Sequence, residues 1–390
     1  MSDQHHSNVV IGYVKAHGFA QLLFWSAFYY LLPALSAQIA LEADWPVLHI
    51  STTYTLAFLL WAICAPVVGY WIDTGHGRKV MRGGAITGII LMIAISQAPN
   101  KMIFSALVIP LGACMAATLY DPCFAVMIRR LKHAGPNAVA SVTLIAGFAT
   151  LLTFPLVFAL GAMMTWQNTI LTFAALAVIG VVLLPAEIKV APTARDHSGT
   201  IAFGKGPTLI AGSFGLVMMG HAVLLFLLPV ALSQASNNAN ISLLALAILG
   251  PAQIAGRIAW QYYGSTFTQQ NCALVMFACL CLPSTLLLLF GVTTSIVYIA
   301  LIVQGACYGV HTILRPSLAQ SYLQPAYLGR GLGTIAMVGL LMMAIGPAVG
   351  GIVWTAAGLN GLMTVVLLLN ISAFLLGALL RRTVPTEAAG

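Results

Sequence analysis

Apolar stretches long enough to cross a bilayer recur along the whole of this 390-residue chain. A helix needs about 20 apolar residues to span a hydrocarbon core of ~30 Å. Lipid offers the backbone no hydrogen-bond partner, so such a run must close its own bonds as a helix or pair with strands in a closed barrel. The runs lack the strict alternation of a barrel strand, and the chain is therefore expected to be all-α. Cutting at polar clusters, Gly and Pro gives twelve spans: 16–40, 47–71, 80–98, 102–128, 136–160, 166–186, 207–235, 240–263, 271–291, 295–322, 331–355 and 359–380.

With charged residues at only 6% and hydrophobic residues at 60%, too little charge is present to cover a soluble protein of this length. The formal charge of +8 does not point to nucleic acid, because the basic residues are scattered at span ends rather than gathered on one solvated face. Topology accounts for them. With the N-terminus inside, thirteen of the Lys and Arg residues fall on the cytoplasmic side and only Lys101 outside, so both termini are expected to be cytoplasmic. The seven cysteines lie in or beside apolar runs without zinc-site or disulfide-scaffold spacing, and read as small packing residues. Residues 1–14 carry no Lys- or Arg-rich segment and no small-residue cleavage site follows, so span 1 is expected to act as its own insertion signal.

The chain reads as duplicated. "LLPALSAQ" at Leu31 to Gln38 returns as "LLPVALSQ" at Leu227 to Gln234. "GAC" at Gly112 to Cys114, followed by Asp121-Pro122, returns at Gly305 to Cys307, followed by Arg315-Pro316. Gly147 precedes Pro155 by eight residues, as Gly339 precedes Pro347. The offsets stay between 192 and 196 residues, which duplication explains better than chance. The polar interval from Glu187 to Pro207 has linker composition. The expected organisation is an N-terminal six-helix bundle (1–187), a cytoplasmic linker (188–206) and a C-terminal six-helix bundle (207–390). In such repeats, substrate sites form near mid-membrane.

Between spans 2 and 3 stands "GYWIDTGHGRK", Gly69 to Lys79, where Asp73, Arg78, Lys79 and Arg82 crowd together in a chain poor in charge. The Gly, the three residues to an Asp, and the following Gly and paired basic residues resemble the signature loop of the major facilitator superfamily. Thr74 stands where that family usually has Arg or Lys, and one extra residue precedes Gly77. The resemblance, of bacterial type, implies the major facilitator fold: twelve transmembrane helices as two six-helix bundles related by pseudo-twofold symmetry. It also implies a conformational latch here, carried by Asp73 and Arg78 within the framework of Gly69, Gly77 and Lys79; Asp121 and Arg130 are candidate further members on their own chemistry, Asp121 being open also to a proton-carrying or helix-packing role. A carboxylate in an apolar helix calls for a nearby cation, and Arg78 and Arg130 are candidates for Asp121.

Ionisable and polar groups inside the spans are candidates for a substrate site. Gln304, Tyr308, His311 and Arg315 follow at spacings of four, three and four, one face of a helix. Gln253 and Arg257 repeat the pattern in span 8, span 7 adds His221, and span 1 offers Gln21, Trp25 and Tyr29. Arginine stays charged when buried and presents a fork that matches a carboxylate or phosphate, so Arg257 and Arg315 imply an anionic ligand. Arg315 occupies nearly the repeat position of Asp121 and is also a candidate latch residue. An arginine in span 8 is similar to the arrangement in monocarboxylate and oxalate transporters; the oxalate-type lysine of span 11 is absent, so a dicarboxylate is not expected. "GLLMMAIGPAVGG", Gly339 to Gly351, resembles the span 5 Gly-Pro pattern of antiporters in this superfamily, displaced to the other half.

The resulting expectation is a secondary transporter of a small organic anion, working by alternating access, as a symporter or antiporter in a bacterial inner membrane. The histidines and Asp121 make protons a candidate coupling ion. An exporter of amphipathic drugs or metabolites is the second reading, carried by Trp25, Trp61, Tyr29, Tyr30 and the methionines. A membrane enzyme is disfavoured by the absence of H-E-x-x-H, G-x-S-x-G and paired catalytic carboxylates, and a receptor by the absence of a signalling domain. No cofactor, metal or nucleic-acid partner is expected, and the chain is expected to act as a monomer.

Overall fold

A computed structural model describes residues 2–131, 135–185, 204–236, 245–264, 266–292, 294–323 and 328–383. All regular structure among them is helical. The chain divides into two compact units, Met1–Asp196 and His197–Gly390. Ten described helices are long and apolar enough to cross a membrane. In the first unit these are α1 (Ile11–Glu42), α2 (Val47–Trp71), α3 (Gly77–Ser96), α4 (Lys101–Met127), α5 (Ser141–Gly161) and α6 (Trp166–Leu183).

The second unit contains α7 (Lys205–Ala235), α9 (Gln269–Phe290), α10 (Ser295–Gln320) and a run Thr334–Leu380. That run is broken at Gly358, whose φ of 57° and ψ of −147° are non-helical, into α11 (334–357) and α12 (359–380). A shorter helix, α8 (Leu249–Tyr263), follows residues 237–244, which lie outside the described part; the eighth span was expected at 240–263. The expected linker, 188–206, is outside it up to residue 203.

Helix ends follow local chemistry. Asn100 caps α4, its side chain accepting from the amides of Met102 and Ile103 at 3.1 and 3.0 Å. Glu42 accepts from the amide of Trp166, the first residue of α6, at 3.2 Å, where a carboxylate complements the helix dipole. Arg82 donates to the carbonyl of Leu184 at 2.6 Å and closes the other end of α6. Apolar stripes face outward on α3 (Ile86, Ile90, Ile93) and on α12 (Leu368, Ile371, Leu375, Leu379), the helical spacing expected of surfaces that meet lipid.

Two departures from helical regularity bear on the polar and aromatic residues. In α4 the helix stops at Thr118, passes through extended Leu119 and restarts at Tyr120. Pro122 has no N–H with which to reach the carbonyl of Thr118, four residues earlier. The buried Gln21 of α1 fills that place, its Nε2 donating to the Thr118 oxygen at 2.7 Å. Gln21→Leu is therefore expected to strand a buried carbonyl, at about 1–3 kcal/mol, and to lower the melting temperature of the purified protein. An unchanged melting curve would show that the break does not depend on this bond. The second irregularity is a π-helical turn at Trp25–Tyr30 within α1. Tyr54 of α2 donates its hydroxyl to the carbonyl of Tyr29, and Ser26 donates to the carbonyl of Leu22 at 2.8 Å.

The duplicated glycines do the same work in each unit. A Cβ built on Gly112 of α4 would lie 2.7 Å from the carbonyl carbon of Ala57 in α2. One built on Gly305 of α10 would lie 2.7 Å from Cβ of Ala252 in α8. A side chain at either place would push the crossing helices apart. The antiporter-like run of α11 lies equally close to α7: a Cβ on Gly346 would fall 2.9 Å from the carbonyl oxygen of Met219.

Candidate functional site

In the second unit the α8–α10 crossing assembles the polar stripes. Gly309 lies against the backbone of Gln253, with a hypothetical Cβ only 2.8 Å from its Cα. That contact sets Gln253 and Arg257 of α8 beside Gln304, Tyr308 and His311 of α10. Arg257 is only 5% exposed, and Gln253, Gln304, His311 and His221 are as deeply buried. Both Arg257 and Arg315 lie within electrostatic reach of Tyr308.

Each of these histidines faces a hydrogen-bonding group on another helix. His311 Nε2 lies 3.1 Å from the carbonyl of Phe214 in α7; a carbonyl only accepts, so the proton sits on Nε2. The amide nitrogen of Gln304 lies 3.4 Å from Nδ1 of His221, which must accept. The His221 ring stacks on Tyr308 with centroids 3.5 Å apart and planes at 11°, and Tyr308 is parallel to His311 at 5.1 Å. Gln253 Nε2, Gln304 Oε1 and His311 Nδ1 are each buried without a hydrogen-bond partner among the described residues. Such atoms cost about 1–3 kcal/mol each unless a ligand or water meets them.

Arg315 is half-buried and turns toward α7 and α11. Its Nη1 lies 3.2 Å from the sulfur of Met218 and 3.3 Å from the position a Cβ would take on Gly339. The expected stripe is thus divided: Gln304, Tyr308 and His311 share a buried environment with His221, while Arg315 is wedged against a thioether and a glycine.

In the first unit Trp25 and Tyr29 belong to an aromatic cluster. Tyr29 is buried, stacked on Phe58 with centroids 5.5 Å apart. Trp25 is half-buried and meets Tyr120 at 4.5 Å, Tyr29 at 4.9 Å and Trp61 at 6.2 Å. Gln21, expected on the same stripe, is spent on the Thr118 carbonyl and serves the fold.

The charged loop is less open than its glycines suggest. A π-helical turn, Ile72–His76, joins α2 to α3, and its left-handed residue is Gly75, with φ of 86°. Gly69 has nothing within 4 Å of its Cβ position, so no close approach requires it, while Gly77 is buried. Arg78 lines a small crevice with Tyr13, His17, Met81, Val126 and Leu184, and Lys79 is exposed. Asp121 is exposed in the first turn of the restarted helix Tyr120–Leu131, where the helix dipole favours a carboxylate. The side chains of Asp73 and Arg130 lie outside the described part.

Sequence reasoning did not find Tyr120, Phe214, Met218 or the π-turn. Pro122 was a usable sign that α4 breaks and re-aims Tyr120; nothing local marks Phe214 or Met218 among the apolar residues of α7.

A chain of apolar helices crossed at glycines, with arginine and histidine buried between them, has the build of a membrane transporter. Residues 18–347 match the model of the Major Facilitator Superfamily, and the chain belongs to that superfamily. No curated protein sequence matches the chain. It is similar in fold to a mutant of the nucleoside transporter NupG, at 14% identity and a TM-score of 0.76, over 95% of this chain and 98% of that one. It is likewise similar to a D-xylose-proton symporter (13% identity, TM-score 0.72, 95% and 97% covered). The human organic anion transporter TETRAN is also similar (18% identity, TM-score 0.70, 94% and 99% covered). The protein has the major facilitator fold and is an integral membrane transporter of a small solute, not an enzyme.

Proposed function

We propose that the transported solute is a small organic anion, a carboxylate, moved by alternating access with protons as the candidate coupling ion. The observation that carries this reading is Arg257, a guanidinium 5% exposed at the α8–α10 crossing, next to the buried amide of Gln253. The planar fork of an arginine held at that depth fits two carboxylate oxygens. In this reading Arg257 anchors the carboxylate, and Gln253 donates from Nε2. Tyr308, Gln304, His311 and His221 form the polar wall and Arg315 adds positive potential; in the first unit Trp25 and Tyr29 are separate candidates for contact with a solute. TETRAN carries organic anions and a xylose symporter carries protons; at 18% and 13% identity they support the fold and leave the solute to be tested.

Two further assignments belong to the same proposal. The loop from Gly69 to Lys79 acts as a latch through Gly69, Asp73, Gly77, Arg78 and Lys79, with Asp121 and Arg130 as further members outside it. The chain sits as a monomer in a bacterial inner membrane with both termini cytoplasmic, as the Lys and Arg distribution favours. An exporter of amphipathic compounds is the second reading, favoured by the aromatic cluster of the first unit.

The test is a thermal-shift screen of the purified protein against carboxylates, phosphates, sugars and cationic drugs. A ligand at 100 times its Kd stabilises the folded state by about 2.7 kcal/mol. Monocarboxylates are expected to raise the melting temperature by several degrees while sugars and cations do not. A response confined to cations would overturn the anion reading in favour of the exporter.

A further inference from the structure

We infer that the aromatic cluster at the π-turn of α1 is a binding platform for a planar aromatic ring of the transported solute; the ring platform stands on the first unit alone and does not rest on the anion reading above.

The cluster has two layers. Tyr29, Tyr54, Phe58 and Trp61 form a backing layer, each at most 3% exposed. Over it lie Trp25, Tyr30, Tyr120 and Phe124, all half-buried although helices α1, α2 and α4 converge on them. Tyr120 and Phe124 are stacked at 4.9 Å and 15°, and Trp25 approaches Tyr120 at 4.5 Å. A core that merely filled space would bury all of these rings; here one layer is buried and the next keeps free ring surface.

The backbone beneath supports the same conclusion. A turn closed by i→i+5 bonds brings residues five apart toward one face, and Trp25 and Tyr30 accordingly lie 6.0 Å apart. A regular turn would point Tyr30 elsewhere. Tyr54 hydrogen-bonds the Tyr29 carbonyl inside this turn, so the irregular geometry is braced from α2. The indole Nε1 of Trp25 is buried without a hydrogen-bond partner among the described residues. A planar ring with an acceptor at its edge would stack on the upper layer and take that proton. The rings could also hold a cation, but the chain has a formal charge of +8. The only carboxylate within the expected span limits is Asp121, against Arg257 and Arg315.

The test is isothermal titration of the purified full-length protein with four probes: benzoate, cyclohexanecarboxylate, benzyl alcohol and tetramethylammonium. Benzoate and cyclohexanecarboxylate share charge and approximate size and differ in the aromatic face. Benzoate is expected to bind roughly five- to tenfold more tightly. Trp25→Leu should bring the ratio of the two affinities close to one, and Trp25→Phe should retain most of it. Tyr120→Leu, on a different helix, should also reduce the ratio, which covers the case in which the Trp25 variant fails to fold. Equal affinity of the two carboxylates overturns the aromatic platform and leaves the anion reading standing. Binding of benzyl alcohol but neither carboxylate, dependent on Trp25, keeps the platform and sinks the anion reading. Trp25-dependent binding of tetramethylammonium without benzoate overturns the inference, as does the binding of no probe.

Discussion

Arg257→Lys is expected to weaken carboxylate transport by roughly ten- to hundredfold, the loss that follows when a charge-assisted pair of hydrogen bonds becomes a single contact. The charge is conserved, so the loss would report geometry. The guanidinium offers two parallel donors in a rigid plane, whereas an ammonium is a compact point charge on a flexible stem, and burial discharges it more readily. The backbone of Gln253, one turn earlier on α8, is fixed by the close approach of Gly309. The measurement is concentration-dependent uptake into proteoliposomes, with the melting temperature recorded beside it. Ile258→Val, on the adjacent residue that is 45% exposed, should leave both unchanged. Unaltered uptake by Arg257→Lys would remove Arg257 from the site.

The second large effect is expected from a single methyl group. Gly309→Ala puts a Cβ at 2.8 Å from the Cα of Gln253, backbone that cannot rotate aside. The α8–α10 crossing must open, at a cost of about 1–3 kcal/mol or more in packing. The same displacement separates Gln253 and Arg257 from Tyr308 and His311. The variant should therefore melt several degrees lower and lose the shift that carboxylates induce in the parent protein. Gly83→Ala provides the contrast, because nothing lies within 4 Å of that Cβ position. There alanine should be neutral or stabilising by up to about 1 kcal/mol, the helix-propensity difference. If both variants melt like the parent, the close crossing at Gly309 is not what assembles the site.

Much of the fold was legible in sequence because lipid leaves the backbone so few options. An apolar run of 25 residues, such as Val47–Trp71, was expected at the limits where the helix forms. Residues 331–355 and 359–380 were expected as separate spans, and Gly358 breaks the long helix between them. The polar stripe of α10 was readable too, since spacings of four, three and four place residues on one face of any helix. The repeated "GAC" glycines proved to sit at matching crossings, Gly112 on α2 and Gly305 on α8. Two side-chain placements were not legible in the sequence, for one reason. Gln21 looked like part of a binding stripe, but its amide answers a carbonyl 97 residues away that Pro122 had left open. Arg315 shares a helix face with His311, yet its guanidinium ends at Met218, a residue with nothing in its local sequence to set it apart.

What the sequence determined by itself is everything that depends on a residue and its near neighbours along the chain: which segments enter lipid and which polar groups share a face. Membrane solvation and helical periodicity act locally, so composition and spacing suffice. The tertiary structure alone decided which faces meet, that Gly309 sets two stripes together, and that Tyr54 braces a π-turn under Trp25. Those outcomes depend on hydrogen bonds and contacts between residues distant in sequence, whose partners are chosen by packing within each unit.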